Sequence, residues 1–133
     1  MINLIYGAKG SGKTKVIIDK ANVTVSSGDT VFVTDTGRYM FDVKRDVRFI
    51  NAKDFDIVTE AGFLGFVRGL LAGNSDIKHI FIDGAHRLVN KQITDMEDFY
   101  TKLDAIADKA DIDVTLTVSM DKEEFPKFLK KYL

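Results

Sequence analysis

The stretch Gly7-Ala8-Lys9-Gly10-Ser11-Gly12-Lys13-Thr14 decides how this chain is read. It fits the pattern G-x-x-x-x-G-K-[ST] at every fixed position. Ahead of it, Ile2-Asn3-Leu4-Ile5-Tyr6 reads as a short apolar strand. Behind it, residues 13–25 space Val16, Ile17, Ala21 and Val25 so as to predict a helix with those side chains inward. A strand, a glycine-rich turn and a helix start form a setting suited to anions. Glycines let the backbone curl until successive N–H groups converge on phosphate oxygens. The helix N-terminus adds partial positive charge. The Lys13 ammonium suits the β- and γ-phosphates, and the Thr14 hydroxyl suits magnesium. All eight residues are therefore expected to bind a nucleoside triphosphate, with Lys13 also acting on the phosphoryl group.

Working outward, short apolar runs alternate with longer amphipathic stretches. Strands are predicted at 2–6, 30–34, 47–50, 79–83 and 113–118, where β-branched and aromatic residues cluster. Helices are predicted at 13–25, 59–72 and 94–110, with a short one in the tail whose first turn holds Pro126, the sole proline. Residues 36–43 read as a short helix or a loop. Gly73 is expected to stop the helix before it. Strands alternating with helices imply a mostly parallel sheet covered on both faces. The expected fold is a three-layer α/β/α sandwich with five strands, one domain spanning residues 1–133.

The phosphate loop resembles the Walker A motif of the P-loop NTPases, and Ile80-Phe81-Ile82-Asp83 resembles their Walker B strand. The resemblance implies a P-loop NTPase sheet, ATP as ligand and Mg2+ held by Thr14 and Asp83. It points to the RecA-like or a related additional-strand branch, in which a further strand separates the Walker A and Walker B strands. The 70 positions from Lys13 to Asp83 leave room for that strand. Short chains of this kind carry the loose label PilT-like, after pilus-retraction ATPases. Ala8 stands where the ParA and MinD type carries an extra lysine, which argues against that subgroup. Additional-strand ATPases often place a polar γ-phosphate sensor after their last core strand, and Ser119 occupies that place.

One departure matters. In Phe81-Ile82-Asp83-Gly84-Ala85-His86, Gly84 stands where family ATPases carry the glutamate that polarises the attacking water. Base catalysis is worth about 10²–10⁴-fold, so its loss would slow hydrolysis. Asp35, following the second strand, is the leading replacement as catalytic base. His86 is a lesser candidate. Arg38, Arg68 and Arg87 are candidate arginine fingers.

Net charge is −1, so no basic field invites nucleic acid. Cysteine is absent, which excludes disulfides and cysteine-built zinc sites and suits a cytoplasmic setting. Neither a leader nor a membrane-spanning run is evident. Gly62, Gly65 and Gly69 recur on the helix at 59–72, with Gly73 just after it, and this helix has little polar surface. Close packing on the sheet, or a homo-oligomer or protein partner on this helix, would offset their helix cost of about 0.5–1 kcal/mol each. Asn90-Lys91-Gln92-Ile93 lacks the aspartate of Ras-like GTPases, which disfavours GTP. The expected function is ATP–magnesium binding with slow or partner-activated hydrolysis. The alternatives are a nucleotide-gated module without hydrolysis, or a small-molecule or nucleoside kinase.

Overall fold

Five strands, β1 (Ile2–Gly7), β2 (Asp29–Thr34), β3 (Val47–Asn51), β4 (Ile77–Asp83) and β5 (Asp113–Ser119), form one sheet in the order β1-β5-β4-β2-β3. The computed structural model describes residues 1–24 and 27–133. Every strand pair is parallel, where a mostly parallel sheet was expected. The reason lies in burial. Val31-Phe32-Val33 of β2 and Ile80-Phe81-Ile82 of β4 are buried throughout, so these strands carry apolar side chains on both faces. Such strands need cover on both sides, which helical crossovers between parallel strands provide.

The period of two along each strand sorts these residues between layers. Phe32 and Phe81 turn to one face, where Ile17, Ile18 and Ala21 of α1 (Lys13–Thr24) pack on them. Val31, Val33, Ile80, Ile82, Val114 and Leu116 turn to the other. There α2 (Glu60–Gly73) supplies Phe63 and Val67, and α4 (Glu97–Ala110) supplies Phe99 and Leu103. The chain is thus α/β, with helices on both faces of a five-stranded parallel sheet.

Several boundaries differ from the sequence expectation. On α1, Val16 is exposed and Ile18 is buried, so the inner face is rotated by about one position. Val25 lies outside the described residues. Residues 36–43 form turns, tied by Met40 N–H to the Gly37 carbonyl and Asp42 N–H to the Tyr39 carbonyl. The helix expected at 94–110 begins only at Glu97, because Met96 adopts φ −108° and ψ 23° and separates it from a 3-10 turn at Ile93–Asp95. A short helix α3 (Ala85–Val89) was not foreseen. Five residues are too few to display helical periodicity. Thr59 caps α2 by accepting the Gly62 N–H at 3.0 Å, and Gly73 is that helix's last residue, with Asn74 beyond it as the C-cap. In the tail, Pro126 is the N-cap of α5 (Lys127–Lys130).

On α2, Gly65 is exposed, and Gly69 and Gly73 line an open groove beside the β2–β3 edge. A Cβ added at Gly65, Gly69 or Gly73 would meet nothing within 4 Å. Close packing on the sheet is therefore not what requires them. Among the described residues, no helix is long and apolar enough to cross a membrane.

Because all strands run the same way, their carboxyl ends share one edge. The register sets Gly7 beside Ser119 and Thr34 beside Asp83. Asp35 follows Thr34 directly. The sheet thus gathers the loop, the serine and both candidate carboxylates at a single edge, the usual ligand position in open parallel sheets.

Candidate functional site

The loop at residues 7–14 leaves β1 and runs into α1. Gly10 and Gly12 hold φ values of +81° and +91°, a left-handed backbone that a side chain would strain. Among the described residues, the N–H groups of Gly10, Gly12 and Lys13 bond to no other backbone group. They remain available to an anion. Lys13 is buried as a residue, and its ammonium donates to the Ala8 carbonyl at 2.9 Å in a partly buried bond, folding back over the loop. Desolvation holds its pKa below the ordinary lysine value, with the Asp83 charge opposing that shift and the Arg87 charge adding to it. A phosphate that replaced the Ala8 carbonyl as partner would return a full opposite charge to Lys13.

Thr14 and Asp83 meet. The Thr14 hydroxyl donates to Asp83 Oδ2 at 3.0 Å. Asp83 is buried at the end of β4, and its other oxygen accepts the Thr117 hydroxyl at 2.8 Å. Thr117 in turn accepts the Gly84 N–H at 3.1 Å. Thr117 therefore fixes both the Asp83 carboxylate and the backbone after it. Of the hydroxyls on β5, the sequence singles out only Ser119. The pairing of β5 beside β4 makes Thr117 the residue that reaches Asp83. Ser119 is half-buried beside Gly7. A hydroxyl and a carboxylate are hard oxygen donors of the kind magnesium accepts, and that ion draws its remaining ligands from waters and phosphates. The residues present fit such an ion.

Asp35 is engaged. Arg87 donates to it twice, Nε to Oδ2 at 2.9 Å and Nη2 to Oδ1 at 3.2 Å. The same Nη2 lies 3.9 Å from Asp83 Oδ1. Burial pushes the Asp35 carboxyl up, but the hydrogen bonds and charge of Arg87 overcome it and hold the pKa below the usual value. Such a carboxylate accepts a proton poorly. Arg87 itself is pushed up, chiefly by its bond to Asp35. Sequence reading placed Arg87 among three candidate fingers. Its partner was hidden, because 52 positions separate the two.

His86, on the first turn of α3, is half-buried. Desolvation lowers its pKa below 6.5, and Arg87 lowers it further against the opposing Asp35 charge. The ring is therefore neutral at pH 7.

A groove of about 500 Å³ opens next to the loop, lined by Thr14, Lys15, Ile18, Asp19, Tyr39 and Asp42. Another, of about 630 Å³, lies away from the loop between α2 and the β2–β3 edge. The second is more apolar, and of the residues at the loop and the carboxyl edge only Thr14 lines the first.

No family model matches this sequence, and no curated protein matches it.

Proposed function

We propose that this chain is an ATP–magnesium binding protein of the P-loop kind whose intrinsic hydrolysis is slow or depends on a partner. The observation that carries this reading is the hydrogen bond from Thr14 to Asp83. It joins the residue closing G-x-x-x-x-G-K-[ST] to an acid at the end of another strand, as shared magnesium ligation requires. The position of β5 between β1 and β4 supports the additional-strand branch. Bound magnesium would neutralise phosphate charge and polarise the terminal phosphoryl group. Lys13 and the loop N–H groups would hold the phosphates, Thr14 and Asp83 the ion, and Ser119 the outer phosphate region. The groove at Tyr39 and Asp42 has room for a nucleoside.

A nucleotide-gated module without hydrolysis is the second reading. Gly84 and Arg87 favour it, because no free carboxylate stands after Asp83 and Asp35 is tied as a weak base. Any protein partner or second copy is assigned to α2, where a Cβ at Gly65, Gly69 or Gly73 would touch nothing inside the chain.

Calorimetric binding of ATP, run beside phosphate release, tests both readings on wild type, Lys13→Ala and Asp35→Asn. Tight magnesium-dependent binding lost in Lys13→Ala is the expected result. Release that disappears in Asp35→Asn makes Asp35 the base. Binding without release in any variant selects the gated module. If Lys13→Ala binds ATP as well as wild type does, the phosphate-loop reading fails.

A further inference from the structure

The geometry points to Arg87 as the residue that tells a nucleoside triphosphate from a diphosphate, its guanidinium lying in the space after Asp83 that Gly84 leaves open. This rests on the nucleotide-binding reading above.

Gly84 holds φ +86°, and a Cβ built there would collide with Arg87 Nη2 and stand 2.5 Å from Cζ and 2.9 Å from Nε. The guanidinium thus lies over the backbone of residue 84, in the volume that a side chain there would enter. Where a glutamate would bring a proton acceptor, this chain brings a cation with five donors and no acceptor. Base catalysis from this position is replaced by anion contact.

The cation is close to the phosphate end of the site. Its Nη2 is 3.9 Å from Asp83 Oδ1, and Asp83 holds Thr14 of the loop. Its charge is also felt at Lys13. Its side chain is 45% exposed at the open edge, whereas Asp35 and Asp83 are 13% and 3% exposed. The cation can therefore move while the carboxylates stay. Two of its donors serve Asp35, and the rest are free to take a further acceptor.

Charge balance gives the direction. Lys13 and Arg87 offset Asp35 and Asp83 in the chain by itself. A magnesium-bound triphosphate brings surplus negative charge, and its outermost phosphate carries much of it. Arg87 gains a second anion there, whereas a diphosphate leaves it on Asp35. Asp35 then competes with the third phosphate for the guanidinium and holds it while that phosphate is absent.

The test is calorimetry with Mg2+ plus either ADP or a non-hydrolysable β,γ-imido ATP, on wild type, Arg87→Ala, Arg87→Lys, Asp35→Asn and Lys13→Ala. Loss of one charge-assisted contact corresponds to a fall of about 10- to 100-fold. Arg87→Ala should lose about that much affinity for the triphosphate analogue while ADP changes by less than about threefold. Arg87→Lys should recover part of the loss. Asp35→Asn should bind the analogue as tightly as wild type or more so, because it releases the cation. Thermal unfolding of each variant checks that it is folded, and Arg87→Lys carries the test if Arg87→Ala is not. Equal effects of an Arg87 substitution on both nucleotides, or no effect on either, would overturn the inference and leave Arg87 a tie between strand ends. Unchanged binding in Lys13→Ala, or no nucleotide binding by wild type, would instead overturn the phosphate-loop reading beneath it.

Discussion

The Thr14 hydroxyl donates to Asp83 Oδ2 at 3.0 Å across 69 positions of sequence. Nothing local brings the two together. Thr14 is the second residue of α1, at the end of the glycine-rich loop, and Asp83 ends β4, two strands away from β1 in the sheet. A small hydroxyl aimed at a buried carboxylate is a compact oxygen pair. Replacement Asp83→Asn keeps the shape and removes the charge. We expect it to weaken ATP binding about 10- to 100-fold in the presence of Mg2+ and to leave magnesium-free binding little changed. Titrations with and without EDTA read the difference. An equal loss in both would mean that Asp83 supports the loop without serving the ion.

Thr117 holds two partners at once, Asp83 Oδ1 and the Gly84 N–H. Both lie in buried surroundings, so removing the hydroxyl leaves an unpaired donor. Thr117→Val keeps the branched shape and should cost about 1–3 kcal/mol in urea unfolding. Thr117→Ser should restore most of it. Thr117→Val as stable as wild type would show that water takes over both bonds.

Gly69 tests the outward face of α2. It sits in mid-helix, and a Cβ there would touch nothing within 4 Å. Gly69→Ala should therefore stabilise the isolated chain by about 0.5–1 kcal/mol. If α2 carries a second copy or a protein partner, the same change should weaken that association. Unfolding midpoint and sedimentation of one sample read both effects. Gly62 is a poorer choice, because its Cβ would press on Thr59 Oγ1, which caps the helix.

His86 gives a pH signature. Burial and then Arg87 lower its pKa below 6.5 in the folded chain. As pH falls from 6.5, the unfolded chain takes up the proton first. The stability owed to the neutral ring is complete above that pH and is lost progressively down to the folded pKa. His86→Gln should flatten the stability profile in that window relative to wild type. Parallel profiles for the two proteins would show that His86 titrates alike in both states.

Much of the fold is legible in the sequence, and its misses have local causes. β-branched and aromatic residues mark all five strands, most plainly in β2 and β4, whose Val31-Phe32-Val33 and Ile80-Phe81-Ile82 are buried on both faces and show no polar alternation. The break at Met96 is invisible, since Ile93 and Met96 are both buried and mimic one continuous helical face. Helix α3 is too short to show a period. Val16 is apolar yet exposed, and a one-residue rotation of α1 is beyond what spacing resolves.

The candidate site divides in the same way. The loop at residues 7–14 and the acid at 83 are legible along the chain, because each is a contiguous run of residues. The sequence by itself also exposed the glycine at 84 as a departure from the pattern it resembles. What fills the space above Gly84, and what Asp35 holds, emerge with the folded sheet. Those answers depend on β2 lying beside β4 and on an arginine one helical turn past Asp83 reaching back across the sheet edge. Strand order and the direction of a long side chain are set by packing across the whole sheet, and no run of neighbouring residues encodes them.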